Sequence, residues 1–410
     1  MLLKLAMRNI WRNKRRTIIT ATSIFIAVFA AVSVESLKRG VWDNMINGVV
    51  NGYTGFVQVH QKGYWEERSI DQAFSFDESF QNLDQKVSNI KAVIPRIESF
   101  VLASHKEETK GGLLVGIDPT KENNLTKLAD KLIEGAYLEA EDNAVLLAEG
   151  LAEELELTIG DSIVFISQGY RATNADGIYK VKGILEFKSP DQNRKMVYMP
   201  LKCAQDLFAL NEDGQNLVTA LAFKINDKNH IPKIVETLKA DLDTETEYDV
   251  MTWEEMLPEL TQTRELDEGG SKVSQFILYL IITFGIFGTV LMMTKERVYE
   301  FGVLLSIGMK RTQLTISIWL EIVLIGFLGT LVGILGGYGL VYYLYNNPIK
   351  LTGEIATIYE DYGINPILIT SLDFDIFLKQ ALTVFIITSL LALYPLLKIR
   401  RLKPVEAMRS

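Results

Sequence analysis

Side chains that commonly carry out chemistry are sparse in this sequence. The one cysteine, Cys203, has no partner for an internal disulfide, and three scattered histidines, His60, His105 and His230, do not assemble a Cys/His zinc site. Nucleotide hydrolysis of the transport-ATPase kind needs a G-x-x-x-x-G-K-[ST] loop, whose backbone amides and lysine cradle the phosphates. No glycine here is followed by lysine, and neither H-E-x-x-H nor G-x-S-x-G occurs. The chain therefore reads as a non-enzyme without a metal or cofactor of its own. Three ionisable residues sit in otherwise apolar stretches: Glu35, Glu321 and Lys379. Such groups carry ion coupling in transporters, but all three are placed where snorkelling or pairing with a neighbour accommodates them. The remaining signal is mechanical. In KERVYEFGVLLSIGMKRTQL, helical spacing puts Val298, Phe301, Gly302 and Leu305 on one face, ringed by Lys295, Glu296, Glu300 and Lys310. A short amphipathic helix of this kind either inserts into a groove of a partner and carries force into its flanking segments, or rests on lipid headgroups as an ordinary loop. Gly302 and Gly308 mark close approach, a turn or a helix end.

That loop lies between apolar runs. Four of them, 17–37, 274–294, 314–345 and 376–397, have the length that crosses a bilayer as a helix. The first alternatively reads as the apolar region of a cleavable signal peptide, but it is longer than such regions usually are and no clear A-x-A site follows. Residues 1–16 carry six bases and no acid, the loop 295–313 and the tail 398–410 are also net basic, and the whole chain is −9. Basic flanks face the cytoplasm, which puts the acidic segment 38–273 and the shorter 346–375 outside. Residues 2–16 form an amphipathic pattern, with Leu3, Met7, Ile10 and Trp11 on one stripe and Lys4, Arg8, Arg12 and Arg15 on another. This is either a helix lying on anionic lipid of the inner leaflet or a positive flank that only sets topology.

Segment 38–273 is far too long for a loop and must be a folded domain. Strand patterns occur at 56–60, 113–117, 144–147, 162–166, 179–185, 196–199 and 219–225, and helical patterns at 124–132, 149–155, 201–210, 230–242 and 253–266. The expected fold class is an α-helical membrane protein with four transmembrane helices and a large α+β extracytoplasmic domain. Its acidic surface offers nucleic acid no purchase. In the third run, Gly329, Gly333 and Gly337 repeat at four-residue spacing, which permits tight helix packing and self-association. At 1.5 Å per residue this run reaches about 48 Å, so it tilts or projects beyond a hydrocarbon core of about 30 Å.

The arrangement of one span, a large outer domain and three more spans resembles the FtsX-like, MacB-type permeases of ABC transporters. The stretches LAMRNIWRNKRRTIIT, KERVYEFGVLLSIGMKRTQL and YPLLKIRRLKPVEAMR resemble that family's signatures. Within the outer domain, GFVQVHQKGY, LLVGIDP, LAEGLAEELELTIGDSIVF, YKVKGILEF, MVYMPLKCAQDLF and DVMTWEEMLPEL are similar to the lipoprotein-releasing LolC/LolE branch. The resemblance implies a bacterial inner-membrane permease working as a dimer with a second, identical or homologous permease subunit and a LolD-like ATPase dimer that binds the ATP and Mg. It implies a lipoprotein substrate, embedded among membrane lipids, and a LolA-like periplasmic chaperone. It makes the loop a coupling helix, with Glu296, Arg297, Glu300, Phe301, Gly302, Leu305 and Gly308 as ATPase contacts. It also implies a second part spliced into the outer domain at about 124–213, and a cavity for acyl chains between spans one and two, with Phe25, Phe29, Phe276, Leu280 and Phe284 either lining it or facing lipid. The stretch 167–178, including Gly169, Tyr170 and Arg171, stands where a projecting hairpin would recruit the chaperone; it is short and without prolines. Alternative roles are a mechanotransmitter that drives an efflux partner or a cell-wall hydrolase, and a receptor, which would not need a coupling loop.

Overall fold

A computed structural model describes residues 2–12, 14–211, 216–242, 244–361 and 364–400, with the side chains of 2–5, 16, 360, 361 and 400 left undescribed. The side chains of Leu3 and Lys4 of the expected amphipathic stripe, most of the basic tail and the end of the expected splice therefore lie outside what the structure describes. The chain divides into two compact units, one comprising 1–43, 263–350 and 367–410, the other 44–262 and 351–366.

The first unit is helical. Among the described residues, four helices are long and apolar enough to cross a bilayer: Thr17–Thr54, Pro258–Glu296, Arg311–Asn346 and Phe374–Ile399. We call them spans one to four. The N-terminal helix Leu2–Arg12 precedes span one, and a nine-residue helix, Val298–Ser306, links spans two and three. Each span helix extends past its apolar run because polar flanks such as PELTQTRELDEGGSK contain no proline after the first turn to stop it.

Span three is the hub of this unit, and its glycines explain why. A Cβ added to Gly329 would lie 2.8 Å from Ile24, one on Gly333 2.7 Å from Val28 and one on Gly337 3.2 Å from Val32, all on span one, while one on Gly326 would lie 3.0 Å from Thr388 on span four. The small-residue stripe is thus occupied within the chain. The tight packing expected of these glycines is made inside the chain: without side chains in the way, the two helices close on each other and gain dispersion contacts that lipid cannot replace. Gly333→Leu is expected to lower the thermal unfolding midpoint in detergent, by overpacking worth about 1–3 kcal/mol. Gly339→Leu, where no atom lies within 4 Å of the added carbon, should leave the midpoint unchanged; equal effects of the two would refute this packing.

The second unit is built on a ten-stranded sheet: β1 (Val57–Gln61), β2 (Ile90–His105), β3 (Glu108–Ile117), β4 (Leu132–Gly135), β5 (Ala144–Ala148), β6 (Ser162–Gln168), β7 (Asn174–Leu185), β8 (Met196–Pro200), β9 (Ala220–Ile225) and β10 (Tyr248–Thr252). The order is β10-β1-β9-β2-β3-β8-β5-β7-β4, and β6 bridges β7 back to β2. The pairings β2-β3-β8-β5-β7-β6-β2 close a ring, so one half of the unit is a six-stranded barrel filled by Leu114, Leu147, Phe165, Val181 and Val197. The other half, β10-β1-β9 and the start of β2, packs Val59, Phe223, Ile234, Leu238 and Trp253 into its own core. Helices Glu149–Glu154 and Leu201–Leu207 cover the barrel strands; Gly116 has no side chain because Ala204 of the second helix sits where its Cβ would be, 2.3 Å away.

Four sequence readings are corrected here. The sixteen-residue strand β2 was not among the expected strands, since Pro95, Arg96 and Glu98 interrupt its apolar pattern. The helix expected at 124–132 instead spans Pro119–Thr126, started by Asp118, whose carboxylate accepts from the amides of Thr120 and Lys121, with Pro119 in the first turn; Lys127 then turns left-handed (φ 50°). Residues 96–117 already belong to the barrel, so β2 runs through both halves rather than a splice beginning at 124. The helical pattern at 253–266 is broken at Leu257, after which Pro258 begins span two.

Candidate functional site

The linking helix Val298–Ser306 is short, so its ends need external partners. Its C-terminus closes in a Schellman arrangement: Met309 N–H donates to the carbonyl of Leu304 and Gly308 N–H to that of Leu305, both at 3.1 Å, with Gly308 at φ +102°, a backbone that side-chain-bearing residues rarely adopt. At its N-terminus stands Arg297, whose side chain is 3% exposed. Arg297 Nη1 donates to Glu321 Oε1 of span three at 2.6 Å and Nε to Glu300 Oε2 at 3.2 Å, and its guanidinium lies 5.4 Å from the Phe301 ring. Glu300 also accepts from Arg12 Nη2 at 3.3 Å, and Glu321 from Asn9 Nδ2 at 3.3 Å. Two cations and two carboxylates therefore form a neutral cluster that joins the N-terminal helix, the linking helix and span three. Glu321, placed in an apolar span, is tolerated because it meets an arginine and an amide there.

This geometry sorts the seven coupling candidates. Glu296 and Gly308 are exposed, Glu300 and Leu305 are half-buried, and Arg297, Phe301 and Gly302 are buried against the spans. The face Val298, Phe301, Gly302, Leu305 is thus turned into the helical unit, and the expectation that it forms the outward contact is corrected. The apolar side joins the same core as Leu314 and Ile318, which removes more apolar surface from water than a solvent-facing orientation would. Tyr299, Ser306 and Ile307 face outward instead, Ile307 with 78% of its surface exposed.

The five cavity candidates fall into two groups. Phe25 and Phe29 stack on each other at 5.7 Å between centroids, half-buried against Gly336 of span three. Phe276, Leu280 and Phe284 stay exposed on span two, Phe276 at 65% and Phe284 at 67%. In the second unit, the stretch with Gly169, Tyr170 and Arg171 lies flat: Gly169 N–H donates to the Thr173 carbonyl at 2.8 Å, Tyr170 N–H to the Phe208 carbonyl at 2.9 Å, and Arg171 N–H to Asp71. Tyr170 packs on the barrel core.

A second charged cluster was not read from the sequence. Arg96, on β2 where the strand passes from β9 to β3, is fully buried and clasps Glu122 through Nε–Oε2 at 2.9 Å and Nη2–Oε1 at 2.8 Å. Glu98, two residues on, accepts from Arg68 at 3.2 Å and lies 3.6 Å from Arg96 Nη1. Arg68 in turn lies over Trp65 at 3.6 Å. Burial alone would lower the Arg96 proton affinity, but Glu122 and Glu98 more than offset it, and the group stays charged. Burial, with Glu98 adding to it, pushes the Tyr53 and Tyr64 phenols up, and partial desolvation brings Lys131, half-buried beside this cluster, down to about 8. The available signal was Arg96 and Glu98 at two-residue spacing, which puts both on one face of a strand.

His60 flanks this cluster, stacked 5.3 Å from Tyr64, with Nε2 2.7 Å from Gln58 Oε1. Burial, helped by Arg68, lowers its pKa from 6.5 to about 3. The unfolded chain therefore binds the extra proton between those values and the folded chain does not. Stability from this group is complete above pH 6.5 and is lost as the pH falls towards 3, at up to about 1.4 kcal/mol per pH unit. His60→Gln is expected to flatten the pH dependence of the urea midpoint in that window, followed by intrinsic fluorescence of the full chain. Parallel curves for parent and variant would show that His60 does not carry the effect.

Compared with known proteins, residues 17–241 match the family model of the MacB-like periplasmic core domain, and residues 273–404 that of the FtsX-like permease C-terminal region. The chain is 25% identical over 334 residues to the lipoprotein-releasing system transmembrane protein LolC of Xylella fastidiosa strain 9a5c, covering 78% of each. It is 22% identical over 344 residues to an uncharacterized ABC transporter permease, YknZ, of Bacillus subtilis strain 168, covering 82% of this chain and 85% of that one. Among solved structures, the extracellular domain of YknZ from Gram-positive bacteria aligns with 48% of this chain and 100% of its own (16% identity, TM-score 0.34). The periplasmic region of MacB from Actinobacillus actinomycetemcomitans aligns with 54% and 95% (18% identity, TM-score 0.36).

Proposed function

We propose, on the premise that this chain belongs to the FtsX-like permeases of ABC transporters and carries their MacB-like periplasmic core domain, that it extracts lipoproteins from the outer leaflet of a bacterial inner membrane. A separate LolD-like ATPase dimer, holding the ATP and Mg, docks at the linking helix through Tyr299, Ile307 and Gly308. A second permease subunit completes the apolar cavity, to which span two contributes Phe276, Leu280 and Phe284. The observation that supports this reading most is the ion-paired linking helix: force applied to its outward face passes through Arg297 and Glu321 into span three, and through Glu300 and Arg12 into the N-terminal helix. The similarity to LolC over most of the chain directs the choice of substrate.

Energy input is needed because each acyl chain of about 15 methylenes holds a lipoprotein in the bilayer by on the order of 12 kcal/mol. A second reading, a mechanotransmitter that moves its outer domain to drive another protein, draws on the stretch 167–178, which is pinned to the barrel and leaves no projecting hook for a LolA-like chaperone. Purification with the cognate ATPase distinguishes the two. Triacylated protein should co-purify and leave on ATP addition when a soluble chaperone is present. ATP turnover with no bound or released lipoprotein would overturn extraction in favour of mechanotransmission.

A further inference from the structure

A cavity of about 660 Å³ opens between the start of span one and the end of span two. Its rim is basic, with Arg12, Lys14 and Arg15, and farther along the spans Ile19, Met292 and Met293 line it beside the hydroxyls of Thr20 and Thr289. Trp11 stands at the mouth with 70% of its surface exposed, and the Lys14 ammonium lies 5.4 Å from its ring. Among the described lining residues Glu296 is the one acid, and Arg12 is already paired with Glu300, so Lys14 and Arg15 are two cations against one carboxylate. The polarity runs along the span axis, charge at the helix end and hydrocarbon toward the middle, which is the polarity of half a bilayer. An exposed tryptophan at the boundary between the two zones fits the interfacial layer, where an indole keeps its ring in apolar surroundings and its N–H wet.

We infer that this cavity binds one anionic phospholipid of the leaflet that the basic helix ends face, its phosphate held by Lys14 and Arg15 and the start of its acyl chains laid along Ile19, Met292 and Met293. The volume is in the range of small-molecule sites and accommodates a glycerophosphate headgroup with its first methylenes. The excess of cations selects an anionic headgroup over a zwitterionic one, because the latter brings its own ammonium into the basic rim. Since the cavity joins the first two spans beside Arg12, which also holds Glu300, a lipid seated there braces the N-terminal side of the ion-paired cluster. The inference rests on membrane insertion of the spans and on no particular substrate, so it survives failure of the lipoprotein reading.

The test uses the full chain, delipidated in a neutral detergent and titrated in native mass spectrometry with dioleoyl phosphatidylglycerol, dioleoyl phosphatidylcholine or inorganic phosphate. One phosphatidylglycerol per chain should be retained, phosphatidylcholine at least roughly tenfold more weakly, and phosphate alone not at all. The double variant Lys14→Gln, Arg15→Gln should lose roughly tenfold or more in affinity for phosphatidylglycerol, given about a fivefold effect per basic residue at a membrane surface. Met292→Trp, which fills the apolar wall and leaves every charge in place, should abolish the retained adduct; it decides the matter if the double variant does not insert. Equal retention of the two lipids, retention of phosphate alone, or an unchanged adduct in Met292→Trp would each overturn the site.

Discussion

Replacing Glu321 with alanine is expected to destabilise the helical unit by about 3–5 kcal/mol, because it leaves the Arg297 guanidinium, 3% exposed, without its closest counter-charge. Arg297→Ala should cost a similar amount, as Glu321 and Glu300 then face each other's charge without the cation between them. The informative variant is the double replacement Arg297→Met, Glu321→Met. Two apolar side chains of comparable length restore packing and remove both desolvation costs, so the double variant should be more stable than either single methionine variant. A double-mutant cycle on thermal unfolding in detergent measures this, and a coupling energy below about 0.5 kcal/mol, the limit for independent sites, would mean that the pair is not the clamp described. The same double variant, folded but without the charge link, should lose stimulation of ATP turnover by substrate in the presence of the cognate ATPase. Glu300→Lys should also break the link, since it sets three cations against one another.

Glu122→Ala should have an effect of the same size in the outer unit, about 3–5 kcal/mol, for the same reason in a deeper setting. The carboxylate gives Arg96 two hydrogen bonds at 2.8 and 2.9 Å, and the remaining acid, Glu98, is 3.6 Å away and already engaged by Arg68. Arg96 cannot neutralise itself by releasing a proton, so the charge stays buried. Urea unfolding of the full chain, read by a probe in the barrel and another in the flanking sheet, should show a lower midpoint for both. Arg96 lies on the one strand shared by the two halves, so loosening it affects both together. Glu141→Ala, which removes an exposed pair with Lys202, should leave the midpoint where it is. A Glu122→Ala midpoint equal to that of Glu141→Ala would show that the buried clasp contributes nothing.

The two clusters differ in how far the sequence reveals them. Arg297, Glu300 and Glu321 each stand out in the sequence, the first two in an amphipathic loop and the third in an apolar run. Their pairing is invisible there, because periodicity reports only which residues share a face of one helix, and Arg297 and Glu321 sit on different helices. Which face of the linking helix turns outward was misread for a related reason. The apolar face is plain in the sequence, but the spans compete with an external partner to cover it, and only the packed bundle shows that the spans' own core prevails. Strand β2 escaped altogether, since Pro95 and two charges disguise a segment whose charges are paired by Glu122 and Arg68 from elsewhere.

Four apolar runs, their basic flanks and the composition of the segment between the first two follow from the sequence by itself, because bilayer thickness and charge asymmetry are read locally, one residue after another. The closed barrel, the seat of the glycine stripe on span one and the two neutral charge clusters were decided only by tertiary structure. Each depends on groups distant in the chain removing one another's desolvation cost or filling one another's space, and such complementarity leaves no local pattern.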